Sequence, residues 1–345
     1  MWLKTTSAFG ALFVAGTMLQ SMALGQDESA VPFNESENAE LQGIALSIAS
    51  QTAAAVQSED YAQAGYNTVN GAIDYLLGNA FEGAPAWAQR IQLEAQVESD
   101  GEPTWSILTV QPLYQSDDDA NTVFTQVSQR RYDYLGTDRD VTNLGVGYRH
   151  LLFDNTLLIG ANSFFDYEWD RWHQRLGAGV EAKWSGLDLT TNSYFGLGGS
   201  SSSGLNNGVS EEVLDGYDFE LGAQLPYMPW ARLYGKYYTW DTKVNDENID
   251  GWQTSLEADI SQNISAEYGW RDDNFSDPES FFKISFRLGF GEENIHRPVA
   301  LSSEFISDRA WEMRDMSNHT LDEVRRENRI IVERISSGVV ITRSN

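Results

Sequence analysis

The chain has 345 residues, with 51 Asp and Glu against 23 Lys and Arg, so its formal net charge is −28. This acidity argues against a nucleic-acid-binding protein, because such proteins neutralise phosphates with basic residues. Aromatic residues make up 12% of the chain, including 11 Trp, whereas disordered acidic proteins are poor in them. The absence of Cys excludes disulfides and thiolate chemistry.

The N-terminus has the layout of a cleaved secretory signal. Lys4 precedes an apolar run over residues 8–19, and small residues follow up to Gly25. The run is too short to span a bilayer, and the acidic stretch after it also argues against the alternative of an uncleaved anchor. We therefore predict a signal peptide over residues 1–25 that is cleaved after Gly25.

Residues 26–87 form the next predicted segment, a periplasmic leader with one or two short helices. The stretches 39–56 and 61–77 are rich in Ala and carry intermittent apolar residues, which indicates helical segments. A partly ordered leader is the alternative, since segments near chain ends are often poorly ordered.

Residues 88–290 have the alternation that is typical of strands. In the segment 175–184, apolar residues occupy the even positions, and glycine or charged residues the odd ones. A period of two with charges on one face predicts a strand between an apolar and a polar environment. The alternation is weakest in the second and third strands. Twelve strands are predicted, over residues 89–98, 104–114, 121–131, 141–151, 155–167, 173–184, 187–198, 215–225, 230–240, 250–260, 262–271 and 280–290.

The connections between these strands favour a membrane barrel over a soluble β-sandwich, whose strands would alternate in the same way. Connections after strands four, six and ten are short, whereas the long runs 199–214 and 241–249 follow odd strands. Outer-membrane barrels combine an even strand number with short periplasmic turns and long outer loops. Trp residues also gather toward strand ends, where aromatic girdles meet the membrane interfaces. We predict an all-β fold, a twelve-stranded antiparallel transmembrane β-barrel with a polar lumen.

Residues 291–345 form a tail whose charge differs from that of the barrel. The tail holds 8 Lys and Arg against 10 Asp and Glu, which leaves 15 against 41 for residues 1–290. Partial desolvation strengthens charge pairing, so an arginine-bearing tail suits a lumen lined with carboxylates. We expect contacts to the pore wall from Arg309, Arg314, Arg325 and Arg326.

Length also permits this tail to thread the pore. About 15 extended residues, at about 3.3 Å each, cross a barrel of this kind. The alternative is a solvated periplasmic helix, because residues 321–332 have helical spacing of their apolar side chains.

The last predicted strand carries a signal for membrane assembly. Phe282, Phe286, Leu288 and Phe290 share one face, with Gly289 beside the end of the strand. This arrangement resembles the terminal strand that the barrel-assembly machinery recognises, and it is also compatible with ordinary lipid-facing residues. We expect outer-membrane lipid, the barrel-assembly machinery and periplasmic chaperones as partners.

No residue pattern predicts catalysis, a metal site or a cofactor. The four His lack metal-ligand spacing. His173, which lies near acidic residues in the sequence, is the one candidate for an enzyme at the barrel rim. The triplet 117–119 lacks the spaced ligands of a calcium loop, and we expect it to cap a turn. We expect a protein that is not an enzyme.

Five motifs follow one another in the barrel region. They are FTQ to RRYD over 124–133, NLGVGYRH over 143–150, GANSFFDY over 160–167, RLGAGVE over 175–181 and NSYF over 192–195. In this order they resemble the β-domain of the intimin/invasin family, the translocator of inverse autotransporters, over about residues 61–335. The segment 325–334 resembles the stretch that follows the barrel in that family.

The resemblance implies a barrel in the outer membrane of a Gram-negative bacterium, with a C-terminal linker that runs through the pore to an extracellular passenger. In intimin and invasin the passenger mediates adhesion to host cells. The sequence stops at Asn345 and shows no lysin module before the barrel, so we expect a barrel without a passenger. Alternatives are a channel-forming or structural barrel with a periplasmic tail, and surface contact through the loops to a ligand that the sequence does not identify.

Overall fold

The computed structural model describes part of the chain: residues 90–99, 103–202, 205, 209–260, 263–288, 298, 300, 306–336 and 339–340. The predicted signal peptide and periplasmic leader lie outside the described residues, as do Gly289 and Phe290 of the predicted assembly strand. Within the described residues, no helix has the length and apolar character needed to cross a membrane.

The described chain is almost entirely β-structure. Its strands are β1 (Ile91–Glu98), β2 (Thr104–Gln115), β3 (Asn121–Asp133), β4 (Asp138–Leu152), β5 (Leu157–Glu168), β6 (Gln174–Trp184), β7 (Leu187–Leu197), β8 (Val209–Val213), β9 (Asp215–Leu225), β10 (Met228–Asp241), β11 (Ile249–Asp259), β12 (Ile264–Asp273), β13 (Glu279–Leu288), β14 (Val332–Ser336) and β15 (Val339–Val340). A short 3-10 helix, Met316–His319, precedes β14.

Twelve of these strands close into an antiparallel barrel, which confirms the predicted fold class and strand number. Each strand pairs with its sequence neighbour, except that β7 pairs with β9 because β8 lies in the connection between them. The barrel closes where β1 pairs with β13, with Ile91 opposite Leu288. The predicted bounds of β9 are those observed, and β4 begins at Asp138 where the pattern predicted residue 141.

The burial pattern shows which face of each strand is turned outward. In β4, Arg139 and Arg149 are 1% and 0% exposed, whereas Leu144 and Val146 are 52% and 51% exposed. A soluble sandwich would bury the apolar set instead, so that alternative is wrong. The apolar residues form the outer surface of the barrel and the polar residues face the lumen, which is the pattern of transmembrane barrels.

The two ends of the barrel differ in their connections. At one end, β4 and β5 are joined by residues 153–156, β6 and β7 by Ser185 and Gly186, and β9 and β10 by residues 226–227. We call this the short-turn end. At the other end, the long-loop end, residues 198–208 and β8 together link β7 to β9.

The tail lies in the lumen and runs from the short-turn end to the long-loop end. Met316 packs against Leu151 and Leu158, close to the turn between β4 and β5. At the other end, β14 pairs with β8 and with β15 in a separate three-stranded sheet. Residues 321–331 contain no helix, so the alternative of a periplasmic helix over 321–332 is wrong.

Candidate functional site

The candidate site is the contact between the tail and the barrel wall. At the short-turn end it includes two main-chain hydrogen bonds to one turn. Ser307 N donates to Tyr227 O at 2.9 Å, and Tyr227 N donates to Ala310 O at 3.0 Å. Both bonds fix the tail to the turn between β9 and β10. Arg309, one of the four predicted tail arginines, is exposed beside them.

Arg314 holds the tail to a second turn. Its guanidinium donates to Ser185 O and to Asp188 Oδ1. Asp188 also accepts from Arg232 Nη1 at 3.1 Å, so two cations share one buried carboxylate. Such charge-assisted bonds are stronger than neutral ones in a partly desolvated lumen. The predicted residue Arg314 therefore contacts the wall where β7 begins.

Met316 contacts another turn of the short-turn end. Its N–H donates to Asn155 O at 2.8 Å, and its side chain is fully buried. The short 3-10 helix begins here because Asp315 accepts a hydrogen bond from Ser317 N at 3.0 Å, which caps the first turn.

Arg149 of β4 holds the tail just beyond this helix. The side chain is fully buried, and Nη1 donates to Thr320 O at 2.9 Å and Asp322 O at 2.7 Å. Glu181 accepts from its Nε at 2.6 Å and so balances the charge. The guanidinium lies 4.4 Å from the ring centroid of Phe124, in cation–π geometry.

An apolar patch on the inner wall receives Val324, which is fully buried. The patch consists of Leu108, Val110, Phe124 and Phe164. Gln126 fixes the main chain at the same point by accepting from Val324 N at 2.9 Å. The weak alternation of β2 and β3 in the sequence has its physical reason here, because these strands turn apolar side chains inward toward the tail.

Two glycines of β4 leave space on the wall for the two phenylalanine rings of this patch. A Cβ atom at Gly145 would lie 2.2 Å from a ring carbon of Phe164, and one at Gly147 would lie 2.3 Å from a ring carbon of Phe124. Both rings therefore lie flat over glycines of β4, which leaves room in the lumen for the tail.

Arg325 spans the lumen to the opposite wall. Its guanidinium donates to Glu220 at 2.5 Å, Glu257 at 2.7 Å and Glu267 at 3.1 Å. It also lies 3.7 Å from the ring centroid of Tyr234. One tail cation thus pairs with carboxylates from β9, β11 and β12.

Arg326 points the other way, into the wall formed by β5 and β6. It makes a bidentate pair with Asp166, at 2.8 and 2.7 Å, and its side chain is only 1% exposed. Arg175 donates to the same carboxylate at 2.8 Å, and Asn143 does so at 2.7 Å. The ring of Phe164 covers the guanidinium at 4.2 Å. This pair is the most deeply buried link between tail and barrel among the described ion pairs.

Wall side chains also bind the tail through its main chain. Asn192 donates to Arg325 O at 3.1 Å. Arg175 donates to Glu327 O at 2.6 Å, and Asn143 donates to Asn328 O at 3.1 Å. Glu327 N donates to Tyr194 Oη at 2.7 Å. These bonds keep the segment extended, which explains why its helical spacing does not produce a helix. They also depend little on which side chains the tail carries.

The tail leaves the lumen between loop segments of the long-loop end. Ile330 is buried against Tyr132, Tyr134 and Val141. Ile331 O then accepts from Leu214 N at 3.0 Å, and the register of β14 on β8 begins with Val332 opposite Val213.

Glu211 of β8 is the centre of an ionic network at this exit, which we call the exit clasp. The fully buried carboxylate accepts from Arg334 Nη2 at 2.7 Å and from Arg139 Nη2 at 2.9 Å, and His173 Nε2 lies at 3.2 Å. Burial alone would raise the pKa of Glu211, but the bond from His173, the charge of Arg139 and the bonds from Arg334 lower it to about 2. The carboxylate is therefore ionised at neutral pH. His173, the candidate for a rim enzyme, is buried within this network.

A second carboxylate joins the tail to another loop. Glu333 of β14 is fully buried and accepts from the N–H groups of Lys243 at 2.6 Å, Val244 at 3.1 Å and Asn245 at 3.3 Å. The loop between β10 and β11 thus wraps around a residue of the tail.

The predicted assembly strand is β13 as far as it is described. Phe282 is exposed on the outer face, Phe286 is buried, and Leu288 is the last residue of the strand. Recognition of this strand by the assembly machinery stays a prediction. In the predicted acidic turn, Asp118 accepts from Ser116 Oγ and Ala120 N, which caps the turn. Among the described residues, no group of three or more His, Asp or Glu could hold a metal ion.

Sequence reasoning missed several residues of the site: β8 with Glu211, the wall donors Asn143, Arg149 and Asn192, and the apolar patch. The signal for the patch was the weak alternation of apolar and polar residues in the second and third predicted strands. The partners of the tail arginines depend on how the tail is aligned with the wall, which alternation does not determine.

Comparison with known proteins agrees with this architecture. The family model described as inverse autotransporter, beta-domain matches residues 41–328. The putative attaching and effacing protein homolog of Escherichia coli (strain K12) is 32% identical over 136 residues, which are 39% of this chain and 44% of that protein. The inverse autotransporter adhesin YeeJ of the same strain is 34% identical over 126 residues, 36% of this chain and 5% of that protein.

Thus the matched part spans less than half the length of either relative. A solved chain from a study of the in-meso crystallisation of membrane proteins has a TM-score of 0.59 at 22% identity, covering 71% of this chain and all of that one. At this identity the likeness supports the fold alone.

Proposed function

The chain belongs to the inverse autotransporter β-domain family, and from this premise we propose that residues 306–336 are a linker that the barrel holds between the periplasm and the cell surface. The barrel itself lies in the outer membrane of a Gram-negative bacterium and resembles the translocator of inverse autotransporters. The observation that carries the proposal is the path of the tail, which contacts turns at one end of the lumen and β8 at the other.

Turn lengths support the direction of this path. Short turns of outer-membrane barrels lie in the periplasm, and long loops lie outside. The tail contacts Tyr227 and Asn155 in short turns, and its strand β14 pairs with β8 in the longest connection. The linker therefore begins in the periplasm and delivers whatever follows β14 to the cell surface.

The kinds of contact support both passage and retention. Wall donors that bind main-chain carbonyls, such as Asn192 and Arg149, suit an extended segment of any sequence during transport. Once Arg326 reaches Asp166, withdrawal would break a bidentate pair whose side chains are 1% and 0% exposed, leaving Arg175 as the remaining cation on that carboxylate. The pairs formed by Arg325 and Arg326 thus hold the linker at its final position.

Labelling of single cysteines tests the direction, because the natural chain has no Cys. We expect Asn345→Cys to react with a membrane-impermeant maleimide on intact cells. The matched control is Phe153→Cys, at a side chain that is 74% exposed in a short turn, which should react only after permeabilisation. Labelling of Asn345→Cys only after permeabilisation would contradict the proposal.

We further propose that the barrel acts by holding a chain and not by catalysis. The support is the place of His173, which is buried and whose Nε2 lies 3.2 Å from Glu211 in the exit clasp. We expect His173→Gln to loosen the clasp, seen as faster protease cleavage near β14. Loss of a hydrolytic activity in this variant, with the clasp intact, would instead favour a rim enzyme.

The names of the relatives suggest adhesion as a role for a whole protein of this kind. YeeJ is named an adhesin. For this chain, adhesion and the surface ligand stay proposals, as do the barrel-assembly machinery and periplasmic chaperones as partners.

A further inference from the structure

The described residues enclose at least two cavities in the lumen beside the tail. The larger has a volume of about 610 Å³ and extends from Ile91, near the short-turn end, to Arg271 on β12. The smaller, of about 80 Å³, lies at the long-loop end, where Tyr132 and Trp240 line it. The tail therefore leaves part of the lumen beside it unfilled.

A cluster of charges stands where the two cavities meet. The residues that line both of them are Lys236, Gln253, Arg271, Glu327 and Arg329. Glu98 on β1 accepts from Arg271 Nη2 at 3.1 Å and lies 3.4 Å from Arg329 Nη1 of the tail. Glu279 on β13 pairs with Arg271 from the other side. We call Glu98, Arg271, Glu279 and Arg329 the lumen cluster.

The members of the lumen cluster are mostly shielded from solvent. The exposed fraction of the side chain is 9% for Glu98, 13% for Arg271, 7% for Glu279 and 17% for Arg329. Arg329 is the one member that the tail supplies, and its Nε also contacts Glu327 of the tail at 3.2 Å. Tail and wall thus close the space between the cavities together, through side chains that can move without the main chain.

We propose that the two cavities belong to one ion pathway beside the tail and that the lumen cluster is its gate. Rings of charged side chains set both the barrier and the selectivity of such pores. The smaller cavity is lined by six acidic and three basic side chains, and the larger by 11 acidic and 12 basic ones, so the permeant species are small monovalent ions. The proposal rests on a tail that occupies the lumen, and it adds a conducting path that linker retention does not require.

Single-channel recording in planar bilayers, with KCl on both sides, tests the gate in the full chain. The wild-type protein should conduct weakly. Arg329→Ala removes the tail's part of the gate and should raise the conductance several-fold. Arg329→Lys keeps the charge on a thinner side chain and should give a smaller rise. Heat-modifiable gel migration verifies that each barrel is folded.

Two controls separate the gate from loss of the tail. Arg309→Ala removes an exposed tail arginine outside the residues that line either cavity, and it should leave the conductance unchanged. A disulfide between Ser210→Cys and Ile335→Cys, which are directly opposite in β8 and β14, keeps the tail in place. A rise for Arg329→Ala that persists with this disulfide supports the gate. No rise, an equal rise for Arg309→Ala, or a rise that the disulfide abolishes overturns the gate. Failure of the disulfide to form would count against linker retention instead.

Discussion

The two halves of the barrel wall make different kinds of contact with the tail. Strands β2–β7 contact it closely, through the apolar patch around Val324, the buried pair of Arg326 with Asp166, and hydrogen bonds to its main chain. Strands β10–β13 and β1 meet it mainly through long side chains and supply most of the wall residues around a cavity of about 610 Å³, which Leu108, Val110 and Lys183 of the other wall also border. One wall holds the linker, and the other leaves space beside it.

The number of ion pairs therefore does not show which wall holds the tail more firmly. Arg325 meets three carboxylates on the open side, but its side chain is 22% exposed, whereas that of Arg326 is 1% exposed. Water can replace the partners of Arg325 if one of them is lost. It cannot easily do so for Asp166, which is fully buried, so a single carboxylate there contributes more.

The largest expected effect comes from Asp166→Asn on the holding wall. The change leaves the buried guanidinium groups of Arg175 and Arg326 without their shared carboxylate. We expect a loss of about 3–5 kcal/mol in the free energy of unfolding, measured by urea denaturation in detergent. The matched control is Asp259→Asn, because its pair with Arg287 is 21% and 25% exposed. The control should lose less than about 1 kcal/mol. Equal losses in both variants would remove the distinction between the walls.

A next smaller effect is expected from Gly147→Ala beside the apolar patch. The added Cβ would lie 2.3 Å from a ring carbon of Phe124, and displacement of the ring toward Val324 should cost about 1–3 kcal/mol. The control is Gly235→Ala in β10, where a Cβ would meet no atom within 4 Å. Thermal unfolding in detergent should show a lower midpoint for Gly147→Ala and an unchanged one for Gly235→Ala. The reverse order would contradict the proposed packing.

The exit clasp should respond to acid. Because the folded-state pKa of Glu211 is lowered to about 2 from an ordinary 4.5, its stabilising contribution is complete above pH 4.5 and is lost as the pH falls toward 2. Hydrogen exchange of the Leu214 amide, which donates to Ile331 O, measures this loss. Glu211→Gln should exchange faster at neutral pH and lose the acid dependence. An unchanged acid dependence in that variant would assign it to another group.

The smallest expected effect is that of Arg325→Gln on the open wall, compared with Arg326→Gln on the holding wall. We expect Arg325→Gln to lower the urea midpoint less, since its three carboxylate partners border the larger cavity. A larger loss for Arg325→Gln would show that the open wall contributes more than its burial suggests.

The alternation of apolar and polar residues predicted the barrel well, because a strand between lipid and a polar lumen must carry apolar side chains on one face and polar side chains on the other. It was weakest in β2 and β3, and the reason is local: Leu108, Val110 and Phe124 face inward to meet Val324. The deviation from the pattern therefore marked the place where the tail is bound.

The remaining features depend on contacts between distant parts of the chain. β8 has only five residues and lies in a Ser- and Gly-rich connection, so its pairing with β14 has no local signal. The apolar residues of 321–332 have helical spacing, but Arg149 and Asn143 take up the carbonyls that a helix would use. The sequence indicated that the tail carries arginines suited to an acidic lumen, without indicating which carboxylate each one meets.

Disulfide formation between Ser210→Cys and Ile335→Cys in the outer membrane of intact cells tests the central claim most directly. The two positions are directly opposite in β8 and β14, and the Cα separation of such antiparallel pairs, about 4.5–5.5 Å, is within the range of a disulfide. If the tail crosses the lumen and is held at the exit, the bond forms and changes the gel mobility of the chain. The control pair, Ser210→Cys with Ser307→Cys at the short-turn end, should stay reduced. Absence of the first disulfide, or its formation in the control pair, would contradict the path of the tail.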